Sequence, residues 1–231
     1  VESDVTVDTS AAEPVELEGH SFSTSSTTIT NNGTIIGTTK GIEADQSTDF
    51  SINNSGTVSV TDNANSPGSA LSLLQSRGTV SIVNSGTFES ERADTIKLHI
   101  SFGTATINNT GSITSSKART INFGQHANPG TIINSGTISS VGETVLVSGG
   151  SGTTGLNITT KGEGTWVGEI DMEDAAVTMT LDCSISKDQD IEIEDKTNMV
   201  VVNNLCGNDT YEILDSSKNA DADNSETNGY I

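Results

Sequence analysis

Residues 132–140 read IINSGTISS: two short extended runs on either side of a turn, in a chain that repeats this corner several times. A template I-x-N-x-G-[TS]-[IVF] recurs as ITNNGTI from Ile29, INNSGTV from Ile52, IVNSGTF from Ile82, INNTGSI from Ile107 and IINSGTI from Ile132. A degenerate sixth copy, ITTKGEG from Ile158, has Thr160 in place of the asparagine. The glycines fall at 33, 56, 86, 111, 136 and 162, so the spacings are 23, 30, 25, 25 and 26 residues. Self-similarity at such a period marks a solenoid or array, in which each repeat buries its apolar face only against its neighbours.

Parity within the template says what faces inward. In extended chain, residues two apart share a face, so the isoleucine, asparagine, glycine and following apolar residue lie on one side. That side is expected to be the interior. Ile29, Ile52, Ile82, Ile107 and Ile132 then form one column, and Ile35, Val58, Phe88, Ile113 and Ile138 a second. Between them Asn31, Asn54, Asn84, Asn109 and Asn134 form a ladder, because a buried amide is costly unless each coil bonds to the next. Gly33, Gly56, Gly86, Gly111 and Gly136 are expected to turn the chain there with positive φ.

Each period has room for about three short strands. Apolar clusters follow each corner, at Gly41 (GIEA), Ala70 (ALSLL), Thr95 (TIKLHI), Thr120 (TINF) and Thr144 (TVLV). A further run leads into the next corner, as in GTVSI at 78–82. Three strands per 23–30 residues with unequal loops predict an all-β chain folded as a right-handed parallel β-helix. At about 4.8 Å per coil, five to six coils make a section roughly 25–30 Å long.

The predicted organisation is an acidic N-terminal linker or cap over 1–20, with the first rung starting near Phe22. A β-helix follows over 21–164, then acidic terminal coils or a C-terminal cap over 165–214, and a flexible tail over 215–231. Trp166, the only tryptophan, is expected to cover the last coil. Cys183 and Cys206 lie 23 residues apart, close to one period, so a disulfide between adjacent rungs is expected in an oxidising compartment. The longest period holds TDNANSPGSA at 61–70. It reads as a projecting loop, and Asp62, Asn63, Asn65 and Ser66 are its candidate binding residues.

Composition restricts the function classes. Aromatic residues are 3% and apolar residues 32% of the chain, against a formal net charge of −21. The charge sits at the ends: residues 1–20 carry six acids and no base, and residues 163–231 seventeen acids and three bases. The 142 residues between carry eight acids and seven bases. Such a surface repels nucleic acid and anionic lipid. No run of about 18 apolar residues is present, so no spanning helix is expected.

Motifs for catalysis are lacking. His20, His99 and His126 occupy unrelated repeat positions, and H-E-x-x-H, C-x-x-C, P-loop and G-x-S-x-G motifs are missing from the sequence. DADNS from Asp221 starts like a calcium loop, but Glu226 stands where glycine is needed. Sequons at Asn32, Asn53, Asn108, Asn157 and Asn208 follow from the Asn/Ser/Thr bias. No T-x-T holds one register in every coil, which speaks against ice binding. The expectation is therefore a chain with no catalytic residues, no cofactor and no metal.

The serial N-[ST]-G-[TS]-[IV] units, followed by G-x-W-x-G-x-I-D-M from Gly164, resemble the passenger region of Gram-negative autotransporters over residues 29 to about 175. The resemblance implies a β-helix secreted through the outer membrane and displayed as an adhesin or stalk, with the membrane β-barrel outside this chain. Its implied partners are protein or glycan molecules of host or neighbouring cells, or further copies of itself. Two other readings are a tailspike- or lyase-like β-helix that binds or degrades polysaccharide, and a scaffold for an active head elsewhere.

Overall fold

The computed structural model describes residues 4–8, 15–17, 26–45, 47–61, 68–99, 103–124, 130–140, 147–148, 155–162, 164–171, 177–181, 191–194, 200–204, 212–214 and 229–230. All regular elements among them are β-strands, stacked as a β-solenoid with three strands per coil. A typical coil runs through Val80–Asn84, turns at Ser85 and Gly86, continues as Thr87–Ser90, turns again, and ends as Ile96–His99. Equivalent strands of successive coils pair side by side in parallel. Three sheets result.

The first sheet has nine strands, from Asp4–Asp8 through Ser26–Asn31, Asp49–Asn54, Val80–Asn84, Ala105–Asn109, Gly130–Asn134, Leu156–Thr160 and Val177–Leu181 to Val200–Asn204. The second has six, Thr34–Gly37 to Thr165–Val167. The third has ten, beginning with Val15–Leu17 and Ile42–Asp45. Its last pair, Glu212–Leu214 with Gly229–Tyr230, is the one antiparallel pairing among the described residues.

Register accounts for the core. Ile29, Ile52, Ile82, Ile107, Ile132, Ile158 and Met179 are successive partners in the first sheet. Ile35, Val58, Phe88, Ile113, Ile138 and Trp166 are successive partners in the second. All are buried, each contributing about 1.5–3 kcal/mol relative to exposure. Strands in both sheets alternate buried and more exposed residues, as in Ala105–Asn109, because successive side chains point to opposite faces. Packing is also compensated across sheets. A Cβ on Gly130 would run into the ring of Phe123, which fills the space the glycine leaves.

The strand pairing bears on three expectations. Within the expected N-terminal linker or cap, Asp4–Asp8 pairs in parallel with Ser26–Thr30, and Val15–Leu17 with Ile42–Ala44. The alternating DVTVD run supplies the reason, since it presents two valines at the same parity as Thr27 and Ile29. The TVLV cluster does not align on Thr144. Val147, two residues later than that alignment gives, pairs with Ile121, so the turn before it is longer while the parity is kept. Trp166 lies in the last described strand of the second sheet, paired beside Ile138 and 3% exposed.

The tail expected over 215–231 lies outside the described residues except for Gly229–Tyr230 and its pairing. No helix among the described residues is long and apolar enough to cross a membrane.

Candidate functional site

The corner between the first and second sheets is built around the asparagines. Asn31 donates its side-chain amide to Oδ1 of Asn54 at 2.7 Å, Asn54 to Asn84 at 2.8 Å, Asn84 to Asn109 at 2.8 Å and Asn109 to Asn134 at 2.9 Å. Each Nδ2 also reaches a backbone carbonyl of the next rung: Thr57, Thr87, Ser112, Thr137 and Thr165 at 3.1–3.3 Å. The amide oxygen faces its own turn as well, accepting the N–H of Gly33 or Gly136 at 3.2 Å. Burial of these amides is thus offset by several bonds apiece. The column ends at Thr160, which stands at the asparagine's register and accepts the indole N–H of Trp166 at 3.0 Å.

The corner glycines are not there for positive φ. Left-handed glycines among the described residues are Gly124, Gly162 and Gly168, and none of Gly33, Gly56, Gly86, Gly111 or Gly136 belongs with them. Their requirement is steric. A Cβ on Gly56 would fall on the carbonyl oxygen of Gly33, and likewise Gly86 on Gly56, Gly111 on Gly86 and Gly136 on Gly111. The corners stack backbone on backbone, which leaves no room for a side chain. Only the degenerate corner, Gly162 with φ +59°, uses glycine for its conformation.

A second polar column went unread in the sequence. Ser90, Ser115 and Ser140 are register partners at the far end of the second sheet, all buried. Ser90 and Ser115 accept the N–H groups of Ala93 and Ala118 at 3.3 and 3.1 Å. Thr95 and Thr120, fully buried, donate to the carbonyls of Thr114 and Ser139 at 2.6 and 2.7 Å. The signal was available as S-x-x-A-x-T, in SERADT from Ser90 and SSKART from Ser115.

Charged groups concentrate at this second corner. Arg119 donates to Asp94 at 2.9 and 3.3 Å from the next rung, and Asn122 adds a bond of 2.7 Å to the same carboxylate. Lys117 meets Glu91 at 3.4 Å, and Lys40 meets Glu43 at 2.8 Å. The Lys117–Glu91 pair is exposed and adds little stability, whereas Glu43 in the other is half-buried. Asp94 is 8% exposed, so its partners matter more.

The outer faces of the first and second sheets have a different character. One outward row of the second sheet is Thr34, Thr57, Thr87, Ser112, Thr137 and Thr165, in register over six rungs. The first five are the [TS] positions that follow the corner glycine in the repeated template, and no T-x-T results, since the residues two further on are Ile36, Ser59, Glu89, Thr114, Ser139 and Val167. Rows on the first sheet hold Thr28, Ser51, Ser81, Thr106, Thr131 and Asn157. Ile36, Val83 and Val167 are exposed at 45%, 40% and 51%. Among the outward positions of these two sheets from Ser26 to Val167, Asp49 and Glu89 are charged, and Asp4 and Asp8 hold the same register in the preceding strand. Asp49 accepts the Thr79 N–H at 2.6 Å and so ties one rung to the next.

The candidate loop residues Asp62, Asn63, Asn65 and Ser66 lie outside the described residues, as do Cys183, Cys206, His20 and His126. Leu181 and Asn204, two positions before each cysteine, are register partners. Among the described residues no group of three or more His, Cys, Asp or Glu is placed to hold a metal ion.

No protein-family model matches this chain, and neither a curated protein nor a solved structure matches it.

Proposed function

We propose that this chain is a non-catalytic, rigid surface module, a stalk or adhesin, secreted as the passenger of a Gram-negative autotransporter. The observation that supports this reading most is the combination of an in-register parallel solenoid with outer faces, on its first two sheets, made mostly of hydroxyls and amides. Rows of Ser, Thr and Asn at the rung spacing offer many equivalent hydrogen-bonding groups. Weak contacts repeated along a rigid support add by avidity. The partners are protein or glycan groups on host or neighbouring cells, or other copies of the same rod. The passenger origin rests on the serial corner units and the Gly164 to Met172 stretch.

The test is surface display of a carrier with and without residues 1–231, scoring cell aggregation and binding to a glycan panel. Gain of either with the segment supports an adhesin. If both stay at the level of the carrier alone, adhesion is lost as a function and the spacer remains.

A further inference from the structure

Five corners of the ladder are built alike, yet one differs chemically. The residue before the corner glycine is Ser55, Ser85, Thr110 or Ser135 in four of them and Asn32 in the first. Asn32 is exposed, and its side-chain oxygen accepts the hydroxyl proton of Ser55 from the next rung at 2.7 Å. An asparagine followed by glycine is set up for a known intramolecular reaction, since the next backbone nitrogen is unhindered by a Cβ. We propose that Asn32 is a covalent self-modification site, held latent by the folded first corner and fired when that corner opens.

The step balances with water alone. Gly33 N loses its proton to base and attacks Cγ of Asn32, forming an N–C bond and a five-membered succinimide. The Cγ–N bond of the side-chain amide breaks, and that nitrogen leaves as ammonia after taking up a proton. Water then opens the ring to aspartate or to isoaspartate, in which the main chain runs through the side-chain carbon.

The folded corner opposes the attack at the nucleophile. Gly33 N–H is donated to Oδ1 of Asn31 at 3.2 Å, within the buried ladder. The backbone of Gly33 is further pinned because Gly56 packs directly on its carbonyl. The Gly33 N–H is therefore engaged elsewhere until the rung frays, and local opening sets the rate. An isoaspartate then inserts an extra backbone atom beside a glycine stack with no slack. The opened corner cannot close as before, and the reaction records opening irreversibly.

The experiment uses the full chain at pH 7.4 and pH 9, native and in denaturant, with peptide mapping for a one-dalton gain and for isoaspartate. Mapping separates Asn32 from the other Asn-Gly step at Asn228. Expected is conversion at Asn32 in the unfolded chain, faster at pH 9, and slower by about tenfold or more in the native chain. Asn32→Ser, which copies Ser55, must fold normally and show no gain in that peptide. Hydrogen exchange of isolated isoaspartyl protein is expected to lose protection over residues 26–37. Equal rates in native and unfolded chains overturn the latency, no conversion in the unfolded chain overturns the site, and unchanged protection overturns the latch.

Discussion

The indole N–H of Trp166 donates to the hydroxyl of Thr160 over 3.0 Å, with both side chains buried. A threonine thus replaces the ladder amide, and a ring replaces the aliphatic residue of the neighbouring column. Trp166→Phe keeps most of the ring but strands the Thr160 oxygen, and is expected to cost about 1–3 kcal/mol. Trp166→Ala also opens a void and should cost about 3–5 kcal/mol. Urea titration followed by circular dichroism gives both values. In the parent protein, tryptophan emission should start blue-shifted and move to the red in the same transition.

The corner glycines give a test that separates space from conformation. Gly111→Ala drives a Cβ into the Gly86 carbonyl, and a strain of about 1–3 kcal/mol is expected. At Gly162 an added Cβ finds its nearest neighbour at 4.0 Å, but φ is +59°, so the penalty there is about 1–2 kcal/mol. Denaturant midpoints of the two variants should place Gly111→Ala below Gly162→Ala. The reverse order would mean that turn conformation, rather than stacking, selects glycine at the repeated corner.

Asn109→Ala removes the acceptor for Asn84 and the donor to Asn134 and Thr137 in one step. The neighbouring amides keep partial satisfaction through Ser112 O and the Gly136 N–H, which limits the loss to roughly 2–4 kcal/mol. Asn109→Asp should be worse near neutral pH, since a carboxylate has no proton for the oxygens of Asn134 and Thr137. Equilibrium unfolding of the two variants at pH 7 checks the order.

At the second corner, a double-mutant cycle on Asp94 and Arg119 should return a coupling of about 0.5–1 kcal/mol. The guanidinium is half exposed, at 46%, and Asn122 stays on the carboxylate when Arg119 is removed. A coupling that persists in 1 M salt would show that the pair acts as a buried one.

Much of the architecture was legible because stacking forces equivalent residues to repeat. Ile29, Ile52 and Ile82 fell into one column by eye, and the asparagines between the columns could be assigned to the interior from parity. What was hidden depended on neighbours in space. Glycine was correctly marked at the corner, but one strand of sequence cannot tell a torsional requirement from a carbonyl lying over it on the next rung. Val147 was misaligned because apolar residues two apart are interchangeable by parity, and only pairing with Ile121 chooses between them. The row from Thr34 to Thr137 was written in the template, directly after each corner glycine; pairing adds Thr165, which follows Gly164 rather than Gly162. Elsewhere the outer faces carry little signal, since Ser, Thr and Asn are common everywhere in this chain.

The asparagine column has a direction. Every amide from Asn31 to Asn109 donates toward the C-terminal rung, and those from Asn54 to Asn134 accept from the N-terminal one, so the side-chain dipoles line up head to tail. A growing stack then ends in an amide whose own turn offers one carbonyl, at 3.2 Å for Asn84 and Asn109, while the shorter bond of 2.7–2.9 Å waits for the following coil. The two ends of the stack are therefore chemically unlike, a donor face toward the C-terminal rungs and an acceptor face toward the N-terminal ones. Coupled dipoles also polarise one another, so each added rung tightens the contact beneath it, and the rod is best regarded as a stack with a head and a tail.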